Sequence, residues 1–481
     1  MLNYADFIGR KALRFEPRGF DVSLDELSAN QWSDRHQYQP PIIQKLLKLG
    51  CGGLFSNYGT GKTMILLKWA EQVAKHTEQQ VIILCPLAVA SQTIKEADQK
   101  LGLKVDFIES QLLANSSTAP IAITNYDKLK GLNCDRYSGF VADESSAFKN
   151  YSGKLKQLMQ SKFADTTFRL VCSATPSPND LLELGNQSEI LGVLNSHQMI
   201  ARYFINDTMA AGKYKLRPFA ANDFWDWVTS WAMFLTKPSD LGFSDEGWDI
   251  PKPTIHRHCV EVDHTIAWNE TDRDGQISLF RTPSLNATSI HKEQRLNVDA
   301  IASKVAEIAE SVPRHEPLIV WCFTDYESEA IAQLIPDSFE LRGSETAKAK
   351  TAKLEAFSDG RILRLITKPE IAGLGLNWQH CGHQIFVMGT SYSFEQYHQA
   401  LHRTVRFGQT RSVQTHVVYA ETAGDVVGTI ERKERQHEHM QFQMIRAVKR
   451  SIQHQKPSDY NPKTPMIIPS WLKAKAAQYA N

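Results

Sequence analysis

The sequence predicts an α/β protein with two tandem parallel-sheet lobes, a helical insertion between them and a helical C-terminal tail. Short β-rich runs alternate with helix-like segments from about Leu54 to Cys172. The same rhythm returns from about Pro317, and an aromatic-rich segment separates the two stretches. Strands alternating with helices are the pattern of parallel sheets joined by crossover helices.

A chain of 481 residues, 42% hydrophobic and 22% charged, has room for two or three packed domains and is neither fibrous nor disordered. The expected division is residues 1–180 for the first lobe, 181–253 for the insertion and interlobe linker, 254–430 for the second lobe, and 431–481 for a basic helix and tail. Lys and Arg number 54 against 53 Asp and Glu, a net charge of +1. No global basic field marks a nucleic-acid partner, so any such surface must be local. The seven scattered cysteines sit mostly in apolar runs and read as reduced core thiols. The longest apolar stretch, roughly Val81 to Ala90, is far short of the ~20 residues a membrane helix needs. Met1 to Arg14 has no apolar signal core, so a soluble, cytoplasmic protein without membrane contact is expected.

In the first lobe the strands are the runs GLFS, VIILC, KVDFI, IAIT, GFVAD and FRLVCS, with helices over Met64 to Lys75 and Ala88 to Lys100. The second lobe reads LIVWCF, a helix over Tyr326 to Leu334, SFELR, a helix over Ala347 to Phe357, RILRLIT, QIFVM, a helix over Phe394 to His402, and VQTHVVYA. Phe224, Trp227, Trp231 and Phe234 follow helical spacing, which predicts core packing. After Thr429 the chain is polar and helix-permissive. Beyond Met440 its charges are seven cations against Asp459 alone, a balance that suits either phosphate contact or a solvated terminal helix.

The chemistry begins at GLFSNYGTGKT, an apolar strand followed by Gly59, Thr60, Gly61, Lys62 and Thr63 and then by a helical run. Glycines let backbone N–H groups wrap a phosphate, the helix N-terminus adds a positive dipole, Lys62 can neutralise the β and γ phosphates, and Thr63 can ligate magnesium. About eighty residues on, GFVAD delivers Asp143 and Glu144 at a strand's carboxyl end. Ligands sit at that end of parallel sheets, where Asp143 can hold Mg2+ and Glu144 can deprotonate the attacking water. Ser173, Ala174, Thr175 and Pro176 then close FRLVCSATP and can relay the γ-phosphate state.

In this order the patterns resemble those of superfamily-two helicases and translocases, over nearly the whole chain. Tyr38 and Gln39 stand at the family's adenine-reading position; LCPLAVASQTIKEADQ is similar to motif Ia, ITNYDKL to Ib, DESSAFKN to II and SATPSPN to III. IVWCFTD, ITKPEIAGLGLNWQHC and QALHRTVRFGQ look like motifs IV, V and VI. The wording of II and VI resembles the Swi/Snf branch, and GLGLNWQ with KPSDLGF is similar to a compact phage and prophage group. The chain departs from the pattern at Ser56, where the first glycine is usual, and at Ser145 and Ser146, which stand for the Ala and His of the usual box.

The resemblance implies two RecA-like lobes and an ATP- and Mg2+-dependent hydrolase that moves on DNA, in a bacterial or phage-infected cell. It implies that Arg403 and Arg406 reach the γ-phosphate charge, and that Gly375, Gln399 and Gln409 support the cleft. It also implies that Ser91, Thr124, Asn125, Thr324, Thr367 and Gly373 meet the DNA backbone. The interval from His383 to Phe394 is short for a strand-separating hairpin, which favours a duplex-tracking or branch-migrating motor. The same patterns also suit a non-motor ATP switch that recruits a partner protein, or an RNA motor.

Overall fold

The structure, a computed structural model, describes residues 15–28, 36–149, 153–207, 214–263, 287–372 and 377–455. In the first lobe six strands, β1 (Cys51–Ser56), β2 (Gln80–Cys85), β3 (Val105–Phe107), β4 (Ile121–Asn125), β5 (Tyr137–Asp143) and β6 (Phe168–Ser173), are joined largely by helices. Val81–Leu84 and Phe140–Ala142 are buried without a break, as strands covered by helices on both faces must be.

The 181–253 segment adds helices Glu183–Ile190, Ser196–Tyr203 and Ala221–Trp231, a small antiparallel pair, β7 (Phe204–Asn206) and β8 (Tyr214–Leu216), and a further strand, β9 (Ala232–Leu235). That strand pairs parallel with β1, so the sheet runs β3-β4-β2-β5-β6-β1-β9. Phe224, Trp227, Trp231 and Phe234 are all buried in one core. Phe234 reaches that core from a strand and not from the predicted helix, because the apolar run AMFL leaves the helix after Trp231 and takes the open edge beside β1.

The second lobe is a six-stranded sheet of β10 (Thr254–Val260), β11 (Leu318–Trp321), β12 (Phe339–Glu340), β13 (Arg364–Thr367), β14 (His383–Val387) and β15 (Gln414–Ala420). Its order is β10-β15-β14-β11-β13-β12, with every pairing parallel. The fold is therefore two tandem RecA-like lobes with a helical segment between them and a helical C-terminal region, as the sequence predicts.

The C-terminal helix, Gly424–Gln455, is not a solvated tail. It has 32 residues, and at 1.5 Å per residue it is about 48 Å long. Val427 and Ile430 belong to the second lobe's core, whereas Met440, Met444, Ala447 and Val448 belong to the first lobe's. Residues 440, 444, 447 and 448 share one helical face, and each of the large apolar side chains contributes roughly 1.5–3 kcal/mol by burial. Between the two sets, Lys433 Nζ donates to Asn179 Oδ1 at 2.8 Å in the first lobe and to the Tyr392 carbonyl at 2.9 Å in the second. Arg450 pairs with Asp226 at 2.7 Å further along. The helix thus ties the lobes together. Lys456, Lys463, Lys473 and Lys475 lie outside the described residues.

Candidate active site

β5, β6 and β1 are adjacent and parallel, so their carboxyl ends open on one edge within ~10 Å of one another. The loop after β1 leads into the helix Lys62–Thr77. Gly59 and Gly61 have φ of 81° and 75°, the left-handed region that favours glycine. A side chain at Gly61 would also collide with the Gln39 amide nitrogen, and one at Gly59 would press on Phe407 of the second lobe. Ser56 replaces the usual first glycine without strain, since its φ is not positive. Its buried hydroxyl accepts from Thr60 Oγ1 at 2.9 Å, and its carbonyl accepts from Lys62 Nζ at 3.0 Å.

Tyr38 and Gln39 brace the loop: the Tyr38 hydroxyl and Gln39 Nε2 both donate to the Thr60 carbonyl, at 2.9 and 3.1 Å. Gln39 reaches the cleft, while Tyr38 and Thr60 stand behind it. Burial pushes the Tyr38 phenol up to about 12, so it remains a donor. These two residues support the loop that would hold phosphate.

Asp143 ends β5, and Glu144 follows in a left-handed conformation, φ 53° and ψ 52°. Such a conformation costs of order 1–3 kcal/mol in a non-glycine residue and here aims the acid into the cleft mouth. The Glu144 amide donates to Asp143 Oδ1 at 3.1 Å, but Glu144 Oε2 is buried with no protein hydrogen-bond partner. Burial raises both acids, against the attraction of Lys62, and Glu144 is held at about 7. Folding thus favours the acid form, whose stabilising contribution is present below the ordinary value of 4.5 and is lost as pH rises through about 7. A general base must be ionised, so were Glu144 to serve as one in hydrolysis, kcat/KM would fall as pH drops below about 7. A pH–rate profile measures this; an acid limb that begins only near pH 4 would contradict it.

Arg403 and Arg406 follow the helix Phe394–Leu401 of the second lobe and face the same cleft as Lys62, Thr63, Asp143 and Glu144. The cavity is about 590 Å³, within the ordinary range of small-molecule sites. Arg403 Nε donates to the Gln399 carbonyl at 3.2 Å, and burial lowers the pKa of both guanidinium groups, Arg406 to about 10. Both remain charged at neutral pH. Gln399 is buried and, unlike the arginines, does not line the cavity. Gln409 is likewise structural, its amide donating to the carbonyls of Gln379, Cys381 and Thr404.

The lobes also touch through Glu395 and Trp248, which lie outside the sequence motifs. Glu395 accepts from Ser146 Oγ at 2.5 Å and from Lys149 Nζ at 2.8 Å, binding the segment after Glu144 to the helix that precedes the arginines. The departure at Ser146 is therefore an interlobe contact. Phe407 packs on Trp248 with ring centroids 4.7 Å apart. Among the described residues no group of three or more His, Cys, Asp or Glu could cage a metal by itself. Thr63 and Asp143 both line the cleft, and their hydroxyl and carboxylate oxygens are the donors that would suit a magnesium ion there.

The residues expected at DNA fare differently. Thr124 is fully buried, its hydroxyl donating to the Ile108 carbonyl at 2.6 Å. Asn125 is buried and accepts from the Lys128 amide at 3.0 Å. Thr324 caps the helix Asp325–Leu334, and Thr367 is fully buried at the end of β13. The side chains of Thr124, Asn125 and Thr324 are engaged with nearby backbone, whereas Thr367 Oγ1 is buried with no protein hydrogen-bond partner. Ser91 is exposed, whereas Gly373 and Gly375 lie outside the described residues. Lys128 and Lys130, exposed just beyond β4, are cations that the motif reading passed over.

No family model matches this chain, and no curated protein matches it. Among solved structures it is similar to the Sulfolobus solfataricus SWI2/SNF2 ATPase core in complex with dsDNA, with 16% identity over 88% of this chain and 96% of that one, at a TM-score of 0.40. No helix among the described residues is long and apolar enough to cross a membrane.

Proposed function

We propose that this protein is an ATP-dependent DNA translocase of the superfamily-two, Swi/Snf-like type, in the compact form resembling phage and prophage members. One observation carries the reading: a phosphate loop and two acids from one lobe and two arginines from the other line a single cleft. Lys62 neutralises the β and γ phosphates, Glu144 takes the proton of the attacking water, and Arg403 and Arg406 meet charge that spreads over the γ oxygens in a loose transition state. An arginine delivered this way contributes roughly 10³ to 10⁵ in rate. Thr63 and Asp143, which line the same cleft, would hold a magnesium ion, and that ion would supply further neutralisation of phosphate charge.

Because the site is divided between lobes, closure depends on the γ-phosphate, and its loss shifts the balance toward separation. Alternating grip on a phosphate backbone turns that cycle into stepping. Only residues 388–393 separate β14 from the helix that precedes the arginines, which supports tracking on duplex DNA over strand separation.

ATPase assays with single-stranded, duplex and four-way DNA and with RNA test this reading. Duplex or branched DNA should stimulate turnover most, and binding should weaken steeply with salt, by a slope of about −0.9 for each phosphate contacted. Lys128→Glu with Lys130→Glu should flatten that slope. No stimulation by any DNA would refute the motor, strongest stimulation by RNA would move the substrate, and ATP-dependent protein binding without displacement would support a switch.

A further inference from the structure

The ring of Tyr58, inside the phosphate loop, is buried between the lobes. Lys62 Nζ lies 4.9 Å from its centroid and the Arg403 guanidinium carbon 5.8 Å, so one aromatic face system contacts a cation from each lobe. Such contacts are strongest where water is excluded. His402 stacks on the ring at 5.1 Å and 20°. The packing continues from His402 to His398 at 4.4 Å and from His398 to His437 of the C-terminal helix at 5.0 Å. Tyr58 also meets His398 directly, at 5.5 Å. The column thus joins the phosphate loop, the end of the helix Phe394–Leu401 that precedes the arginines, and the helix that spans both lobes.

The tyrosine hydroxyl is buried with no hydrogen-bond partner. Its phenol is pushed far up by burial first and by Glu144 next, so it carries no charge, and the three imidazoles are kept neutral chiefly by burial. What the residue offers is therefore its ring: shape, stacking and a π face.

We propose that Tyr58 is a positioning residue, whose ring sets Arg403 against the phosphate loop and whose contact with the His402–His398–His437 column keeps the C-terminal helix in register with that arrangement. The inference rests on the ATPase reading of the cleft and adds to it a residue that acts through another.

The test compares Tyr58→Ala with Tyr58→Phe in the full chain, following DNA-stimulated turnover and the affinity for a fluorescent ATP analogue with magnesium. Tyr58→Ala should lower kcat by at least about tenfold while analogue affinity changes by less than about threefold. Tyr58→Phe, which keeps the ring, should restore kcat to within about twofold of the parent. His437→Leu, distant from the phosphates, should lower kcat by a few-fold, and combining it with Tyr58→Ala should add less than the product of the two effects. A normal kcat in Tyr58→Ala beside an active parent overturns the inference alone. Equal loss in Tyr58→Phe, or a loss confined to analogue affinity, overturns it too, by assigning the role to the hydroxyl or to binding. A parent with no turnover overturns the ATPase reading itself.

Discussion

Replacing Lys62 by alanine is expected to abolish ATP turnover, with kcat reduced by at least about 10²-fold, as when a charge-stabilising donor is removed from a reacting centre. Among the cations, Lys62 pulls most strongly on the two cleft acids: it opposes the burial that raises Asp143 and Glu144. Without it both acids lose their main attractive partner, and the bound phosphates lose the side chain that the glycine loop delivers. Lys62 also ties the loop to its own start through the Ser56 carbonyl, so ATP affinity should fall together with turnover. The measurement is steady-state hydrolysis with a melting curve as a folding control. A folded variant with parental turnover would remove the phosphate loop from the mechanism.

Glu144→Gln separates binding from chemistry. The amide is nearly isosteric and leaves the backbone, the loop and the arginines in place, but it accepts no proton from water. A positioned base contributes about 10² to 10⁴ in rate, and kcat should fall by that factor. ATP affinity should stay at least as high, because a buried carboxylate facing phosphate is replaced by a neutral group. Direct binding of the analogue and single-turnover hydrolysis distinguish the two quantities. Unchanged turnover would assign the proton transfer to another group, and lost binding would place Glu144 in the structural frame of the loop.

The sequence reading was strongest where a short run contains its whole structural reason. A strand, a glycine turn and a helix are encoded within SNYGTGKT and its flanks, and the roles of Gly59 and Gly61 follow from backbone sterics alone. It was weakest for hydroxyl residues at strand ends. Thr124 and Thr367 look the same in sequence whether they face a ligand or fill the interior, and the structure buries both. The helical C-terminus was legible, and its spacing of Met440, Met444, Ala447 and Val448 already marks an apolar stripe. Its destination was not legible, because the abundant charges around that stripe resemble those of a solvated helix.

By itself the sequence determined the two parallel-sheet lobes, the order of phosphate loop, acids and arginines, and the need for glycine at the loop. These depend on local periodicity and backbone conformation, which neighbouring residues dictate. Only the tertiary structure decided that Ser146 and Lys149 reach Glu395, 249 and 246 residues away, that Tyr58 packs on His402, and that the last helix joins both cores. Such contacts arise when separately formed surfaces are buried against each other, and no short stretch of chain encodes which surfaces will meet.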